Sequence, residues 1–307
     1  MSMIRKAVLA AFAALALAAP AAAETLTVET YRPSHSEAAL GVQSLVVERF
    51  AGREGARFSF MVADALQQAS IRGRPWFTVL VDAGGEANAV LEGRVTPHIS
   101  EHRFRRKREV CWTYDEDGDC TEERKVDLEC IRLTVNVRPD VRLLARDGIL
   151  LWTFTSARND QEEFCPDVDD YPDVDAMIDG VLPDLVQDIR RELAPTGVLE
   201  PVRIMESRSG LSGDARDAFR EAVRLTKNDE AAACDMFERL YAANREQPSL
   251  MFNVGLCAER RGDHPQAQVL YQAALASRRS DDEASAGLRR IDDTAVAISQ
   301  IAFHFEQ

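Results

Sequence analysis

Residues 214–281 contain two copies of a 34-residue pattern, and this repeat restricts the fold more than any other feature of the chain. A shift of 34 positions places turn residues on turn residues and helix residues on helix residues. The matched pairs are Asn228 and Gly262, Asp229 and Asp263, Ala233 and Ala267, Phe237 and Tyr271, and Leu240 and Ala274. Self-similarity at this period is typical of a repeated supersecondary unit, so the pattern predicts two helix–turn–helix hairpins.

The second copy also contains the segment 251–256, Met-Phe-Asn-Val-Gly-Leu. With the period of 34 residues, it resembles the tetratricopeptide repeat (TPR). The motif residues that carry the resemblance are Asn253, Gly255, Gly262, Asp263, Ala267, Tyr271 and Ala274. The resemblance implies an all-α array of helical hairpins that binds other proteins and carries no chemistry of its own.

We expect the repeat helices at about 214–226, 229–243, 249–261 and 264–277, and a last helix at about 281–302. The last helix has an apolar stripe formed by Leu288, Ile291, Ala295, Ile298 and Ile301. Two repeats alone leave an apolar end exposed. Residues 282–307 are therefore predicted to cap the array.

The resemblance implies that the first helix of each repeat lines the inner face of the array. In the second copy this suggests Asn253, Cys257 (unless it is bonded), and Arg260 or Arg261 as contact residues for a partner. The alternative is that two repeats, which make only a small inner surface, buttress the preceding domain or mediate self-association.

The N-terminus has the three parts of a secretory signal peptide. Arg5 and Lys6 precede an apolar run over 7–19, and the small residues Ala21–Ala23 follow Pro20. The apolar run is shorter than the roughly 20 residues that cross a bilayer, so a membrane anchor is the weaker alternative. We expect cleavage of residues 1–23 and a periplasmic or secreted location without a lipid anchor, since no cysteine lies near the cleavage site.

All six cysteines follow the predicted signal peptide, and an even number in an exported chain favours disulfides. Cys111 and Cys120 flank a turn-like acidic segment. Cys130 and Cys165 flank a longer hairpin with its turn at 146–148, in which Cys130 lies opposite about residue 164. Cys234 and Cys257 fall on successive helices of the repeats. We therefore predict these three pairs; the alternative, a zinc site, lacks a Cys-x-x-Cys pair.

Residues 24–195 are predicted to form a mixed α/β domain, and 196–213 a linker. Candidate strands lie at 44–50, 77–81, 89–96, 131–144 and 149–155, with amphipathic helices at about 54–70 and 174–193. We expect Arg74-Pro75 to end the first helix and Pro139 to force a bulge or an edge position. The whole chain is thus predicted to be α+β: a sandwich-like α/β domain with a mostly antiparallel sheet, then the helical array.

The order of these elements resembles the small domain of curli-secretion-channel subunits and of lipoproteins that activate penicillin-binding proteins. The resemblance rests on the segment 89–96 with its Glu92-Gly93 strand and on the hairpin 141–152 around Asp147-Gly148. Those proteins carry a lipid-attachment cysteine and pore-forming apolar hairpins, which this sequence lacks. The resemblance therefore implies a fold and not a channel, and it leaves activation of a cell-wall synthase open as an alternative.

Composition and motifs favour a binding protein over an enzyme. The net charge of −14 disfavours general binding to nucleic acid, and there is no nucleophile elbow, phosphate loop or dinucleotide fingerprint. On a strand, His98 and His102 would lie about 13 Å apart, too far for one metal. The acidic residues at 115–119 and 167–175 fit solvated or helix-capping loops better than calcium sites. We expect no catalytic residues, metal or cofactor.

The segment 103–108 is a basic patch, formed by Arg103, Arg105, Arg106, Lys107 and Arg108. It predicts either a contact for an anionic envelope component or, more simply, an exposed strand whose charges face the acidic arm after Cys111 and discourage edge pairing.

Taken together, these features predict a non-enzymatic envelope protein that mediates protein–protein interaction or assembly through its repeats. The alternatives are a regulatory activator of a cell-wall synthase and a self-associating structural protein. The sequence identifies neither the partner nor the oligomeric state.

Overall fold

The computed structural model describes residues 24–80, 87–277 and 281–306. The predicted signal peptide, 1–23, lies outside the described residues, as do 81–86, 278–280 and 307. The chain forms two compact units. We call Thr30–Val198 with Arg289–Gln307 the α/β unit, and the residues up to Glu29 with Leu199–Leu288 the helical unit.

Helices and strands are mixed along the described residues, as the predicted α+β class requires. The strands are β1 Thr25–Arg32, β2 Ser44–Val47, β3 Ser70–Ile71, β4 Arg74–Pro75, β5 Thr78–Leu80, β6 Ala89–Arg94, β7 His98–Tyr114, β8 Cys120–Val137, β9 Asp140–Ala145, β10 Leu150–Phe154, β11 Arg158–Phe164 and β12 Thr196–Arg203. The helices are α1 Gly55–Gln67, α2 Val174–Leu193, α3 Gly213–Leu225, α4 Glu230–Ala243, α5 Pro248–Arg260, α6 His264–Ala276 and α7 Asp281–Phe305. Among them, no helix is both long and apolar enough to cross a membrane.

The α/β unit contains a five-stranded sheet in the order β10-β9-β6-β2-β5. β6, β9 and β10 pair antiparallel as expected, whereas β2 runs parallel to both β5 and β6. The parallel pairing with β5 follows from the connection between the two strands, which contains α1 and so returns the chain in the same direction. The apolar face of α1, formed by Phe58, Val62 and Leu66, is fully buried.

Two expected boundaries in this unit are wrong. Arg74-Pro75 does not end α1, which stops at Gln67; the chain then makes a small hairpin of β3 and β4 that turns at Arg72 and Gly73. The predicted strand 131–144 is two strands, because the chain leaves the sheet of β8 after Val137 and enters that of β9 at Asp140. Pro139 lies at this change of sheet, where a missing N–H is tolerated.

The last helix, α7, contributes residues to both units, and its buried face differs from the predicted one. The expected stripe included Ala295 and Ile298, but both are exposed, Ile298 by 46%. The buried positions instead follow the series Ala284, Gly287, Ile291, Thr294, Ala297, Gln300 and His304. Residues 289–305 belong to the α/β unit. The prediction that residues 282–307 cap the helical array placed no part of this helix in that unit.

Three polar side chains explain this rotation of α7. The amide of Gln300 accepts a hydrogen bond from the N–H of Ser34 (2.8 Å) and donates one to its carbonyl (2.9 Å). Thr294 accepts from the N–H of Tyr31 at 3.1 Å. His304 stacks on Trp76, with 3.8 Å between ring centroids, and its two ring nitrogens lie 2.8 Å and 2.7 Å from backbone carbonyls. An apolar face could not satisfy these buried backbone groups.

Replacing Gln300 by leucine should destabilise the α/β unit, because it leaves the N–H and carbonyl of Ser34 buried without partners. We expect a loss of about 2–4 kcal/mol in the free energy of unfolding, measured by denaturant titration with tryptophan fluorescence as reporter. The matched control is Ile298→Ala on the same helix, which should change stability by less than about 0.5 kcal/mol. A larger loss of stability for Ile298→Ala than for Gln300→Leu would instead support the apolar face predicted from the sequence.

In the helical unit, α3 with α4 and α5 with α6 form two successive helical hairpins whose bounds lie close to the expected ones. Asp229 and Asp263 cap α4 and α6 by accepting backbone N–H groups. Gly262 ends α5 with a φ of 78°, which glycine adopts without strain. Ala267 and Ala274 are fully buried on α6.

Tyr271 on α6 is the centre of packing in the second hairpin. It is fully buried, and its hydroxyl donates to Glu259 at 2.5 Å. Two glycines lie against its ring: a Cβ at Gly255 of α5 would be 2.9 Å from a ring carbon, and a Cβ at Gly287 of α7 would be 2.5 Å away. The absence of side chains at these two positions is therefore what admits the aromatic ring.

We expect Gly287→Ala to destabilise the helical unit by about 1–3 kcal/mol through overpacking against Tyr271, with a smaller effect for Gly255→Ala. Gly180→Ala is the control, since Gly180 is an exposed glycine of α2 and a methyl group there would meet no atom within 4 Å; it should stabilise its helix by roughly 0.5–1 kcal/mol. Thermal unfolding followed by circular dichroism at the helical band measures all three. Equal Tm values for Gly287→Ala and wild type would contradict the packing argument.

Candidate interaction surfaces

The residues predicted to contact a partner all have contacts within the helical unit. Asn253, on α5, is fully buried. Its amide oxygen accepts a hydrogen bond from the N–H of Met205 at 2.8 Å, and its amide nitrogen donates to the carbonyl of Met205 at 2.9 Å. Asn253 thus holds both backbone groups of one residue in the segment that follows β12.

Gln247 holds the same segment further along. It precedes α5 and caps it, because its side-chain oxygen accepts the N–H of Leu250 at 2.6 Å. Its side-chain nitrogen donates to the carbonyls of Ser207 at 2.8 Å and Ser209 at 3.4 Å. Asn253, one of the predicted contact residues, and Gln247 are therefore occupied by residues 205–209, which we call the cis segment.

The other predicted contact residues are also engaged. Cys257 forms a disulfide with Cys234 on α4, with 5.6 Å between the Cα atoms. Arg261 forms an ion pair with Glu238 at 2.6 Å. Arg260 donates to Glu230 at 2.8 Å.

Glu230 joins three parts of the helical unit. At the first turn of α4, it accepts from Arg260 of α5 and also from the N–H and hydroxyl of Thr27, at 3.2 Å and 2.9 Å. Partial burial raises the pKa of the Glu230 carboxyl, but the hydrogen bonds from Arg260 and Thr27 outweigh burial, so the net pKa is lowered. The ionised carboxylate is consequently the form that the folded chain favours.

This shift has a defined sign for stability. A folded-state pKa below the unfolded one adds stability above the unfolded pKa, and that stability is lost as the pH falls through the folded pKa. Glu230→Gln should therefore destabilise the chain most at neutral pH, and its difference from wild type should shrink below about pH 4. The control is Glu221→Gln, since Glu221 forms an exposed pair with Arg224 and should show little effect at any pH. Denaturant titrations at several pH values test this; a difference that grows on acidification would contradict it.

A cavity of about 480 Å³ lies beside the cis segment. Its lining is mainly polar. It includes residues on both sides of the contact between the cis segment and α5, namely Arg203, Met205, Ser207, Gln247, Ser249 and Glu283. The side chains of residues 206–210 are exposed, whereas the flanking Ile204 and Leu211 are buried. The helical unit thus contacts the cis segment through its backbone and anchors it at both ends.

The second notable surface is a long antiparallel ribbon of β7 and β8, in the α/β unit. Its register runs from His98 opposite Asn136 to Tyr114 opposite Cys120. β11 covers only the part of β8 from Ile131 to Val137. Beyond that point, the described structure pairs β7 and β8 only with each other.

The basic patch predicted at 103–108 lies on β7 of this ribbon. Three of its residues form ion pairs with carboxylates: Arg105 with Glu129 (3.4 Å), Arg106 with Glu163 (2.5 Å) and Arg108 with Asp169 (2.5 Å). Lys107 lies opposite Asp127 in the register, and Arg103 is exposed. Much of the positive charge is therefore balanced nearby, and an anion contact at this patch stays a prediction.

Two of the carboxylates that pair with the patch, Glu163 and Asp169, have lowered pKa values, and in each case the largest cause lies outside the patch. The hydrogen bond from Arg132, supported by the charge of Arg106, lowers the pKa of Glu163 against the effect of burial. The N–H of Cys165 and then Arg108 lower the pKa of Asp169. Both groups are consequently held as anions that fix the root of the ribbon.

The tip of the ribbon is exposed and cross-linked. Cys111 and Cys120 form a disulfide there, with 5.7 Å between the Cα atoms. The register shifts between Cys111 and Thr113, so Trp112 lies in a bulge, a feature that redirects a side chain. Trp112 is 57% exposed, and the guanidinium of Arg124 lies 4.6 Å from its ring centroid.

The remaining disulfide joins Cys130 to Cys165, and all six cysteines are thus paired as the sequence predicted. The residue count that placed Cys130 near position 164 is correct, since β8 and β11 pair Ile131 with Phe164. The intervening strand assignment differs, because the hairpin of β9 and β10 belongs to another sheet.

The candidate metal-binding residues do not converge in the described part of the chain. His98 and His102 lie on β7, as expected, and both are exposed. Asp173 caps α2 by accepting the N–H groups of Asp175 and Ala176, in line with a helix-capping loop. Asp115 accepts from the N–H groups of Asp117 and Asp119 within the turn of the ribbon.

Neither Gln247 nor the cis segment was predicted from the sequence as part of this contact. The repeat pattern identified Asn253 but gave no sign that a segment 48 positions earlier would be its partner. The one available signal is that the composition of 204–212 disfavours a helix. These residues fall within the predicted linker, 196–213.

No protein-family model matches the chain, and no curated protein matches it. Among solved structures, it is similar to a chain described as a neuraminyllactose-binding hemagglutinin homolog from Helicobacter pylori. The match covers 53% of this chain and 88% of that one, at 11% identity and a TM-score of 0.29. A similarity at this level does not establish a common fold.

Proposed function

We propose that this chain is an exported, non-enzymatic protein of the cell envelope that mediates protein–protein interaction or assembly through its helical hairpins. The observation that carries the proposal is the way α5 holds an extended stretch of polypeptide. Asn253 and Gln247 bind the backbone of the cis segment and make no use of its exposed side chains. A surface that binds polypeptide backbone is suited to a protein partner.

The helical hairpins support the proposal in a second way. Their spacing, the caps Asp229 and Asp263, and the packing of Gly255 on Tyr271 fit the resemblance to TPR repeats that the sequence suggests. Such repeats function as binding surfaces.

Three disulfides support the exported location. Disulfides persist in oxidising compartments and are rare where thiols are kept reduced. Together with the leader-like residues 1–23, they favour a periplasmic or secreted protein.

The occupied inner face favours a second candidate, a self-contained structural role. In that case, the helical hairpins serve only to hold the chain's own residues 205–209, and any further association is between copies of the chain. Regulation of a cell-wall synthase is a special case of the first candidate, in which the partner is that enzyme.

Site-specific photo-cross-linking in cells separates the candidates. A photoreactive residue at Glu206, which is exposed beside the cavity, should give an adduct with a different envelope protein. The same probe at Phe60, 75% exposed on α1, is the control surface and should not give that adduct. A wall synthase in the adduct would identify the activator, and a secretion component would indicate assembly. Adducts with the same chain only, or none, would contradict the first candidate.

A further inference from the structure

The cis segment has the geometry of a bound ligand. We propose that the groove formed by Gln247 and α5 is a binding site for an extended peptide main chain, and that residues 205–209 occupy it as an intramolecular competitor which a partner's extended segment displaces. The inference rests on the proposed function. It adds how a partner's chain is recognised and how the cis segment controls access to the groove.

The two shorter contacts recognise alternate residues of the backbone. The carbonyls of Met205 and Ser207 accept hydrogen bonds from the side-chain amides of Asn253 and Gln247, at 2.9 and 2.8 Å. In an extended chain, groups two residues apart point to the same side. The carbonyl of Arg208 accepts from the N–H of Leu211, which closes a turn over Ser209 and Gly210, and the longer contact of Gln247 with the carbonyl of Ser209 (3.4 Å) is made from that turn.

Between its two ends, the groove does not select the sequence of its occupant. Residues 206–209 have exposed side chains, so Asn253 and Gln247 contact only atoms that every extended peptide offers. The ends are different, because Ile204 and Leu211 are 3% and 2% exposed. A competing peptide therefore needs an extended main chain and two apolar residues at this separation.

To leave the groove, the segment has to release its buried ends, Ile204 and Leu211. It is followed by Gly210 and Gly213, both with positive φ (90° and 46°), in the sequence Ser-Gly-Leu-Ser-Gly. Such residues have large conformational freedom, so the chain can follow the segment out of the groove. The adjoining cavity of about 480 Å³ gives an incoming peptide room to begin its contacts before the cis segment has left.

Because the cis segment already occupies the groove, any partner has to compete with it for binding. A short flexible tether gives an intramolecular ligand an effective concentration in the millimolar range. A peptide with the sequence of residues 202–212 should therefore bind the unmodified chain weakly, and far better once the cis segment is disabled.

The test uses a synthetic peptide of this sequence and the full mature chain with Met205→Pro. Proline removes the N–H that Asn253 accepts, while the extended conformation remains allowed. We expect the peptide to bind the variant at least ~10-fold more tightly than wild type by calorimetry, since the competing cis contact is lost. A peptide that is N-methylated at its methionine corresponding to Met205 is the matched control and should lose binding to the variant by at least ~10-fold, because it lacks the same donor.

Equal affinity for wild type and variant, or equal binding of the N-methylated peptide, would overturn the proposal. A second measurement needs no variant. In the unmodified chain, excess peptide should accelerate hydrogen exchange at the amide of Met205 by at least ~10-fold, because displacement exposes that amide to solvent, and an unchanged rate would also overturn the proposal. A chain that cross-links a partner at Glu206 but shows no displacement rejects this inference and leaves the proposed function standing.

Discussion

Buried side-chain amides that bind both backbone groups of a single residue are the interaction on which much of this structure depends. Asn253 holds Met205 in the helical unit, and Gln300 holds Ser34 in the α/β unit. Each replaces two hydrogen bonds that a strand neighbour would otherwise make. Because a buried backbone group without a partner costs about 1–3 kcal/mol, such an amide makes it possible to bury a segment that belongs to no sheet.

This interaction also marks the limit of what the sequence can predict. Local patterns located the repeat helices and the pairing of the cysteines, because each depends on spacing along the chain. The amide contacts join residues 48 and 266 positions apart. No periodicity encodes such a contact, and on α7 the hydrophobic rule selected Ile298 instead of Gln300 for the buried face.

The charged residues of the ribbon show the same limit of prediction from the sequence. The run at 103–108 is conspicuous as sequence, but its carboxylate partners Glu129, Glu163 and Asp169 come from other strands and loops. The prediction that the acidic arm after Cys111 faces this run is confirmed for Asp127 and Glu129 on β8. Glu163 and Asp169 were not predicted as partners, because they lie beyond that arm in the chain. The residues that remain exposed at the tip, Trp112 among them, were not selected as candidates at all, because a single aromatic in a charged strand has no pattern.

The occupied groove reconciles two interpretations of the helical hairpins that the sequence left open. A surface whose contacts are already made inside the chain is a structural element, and a surface that binds only main-chain atoms is a general peptide site. Residues 205–209 satisfy both descriptions, since their backbone is held while the side chains of 206–209 stay in solvent. Which description applies depends on the free energy difference between the cis segment and a competing peptide in the groove. The tether favours the cis segment through its effective concentration, whereas a competing peptide presents the same backbone atoms to Asn253 and Gln247.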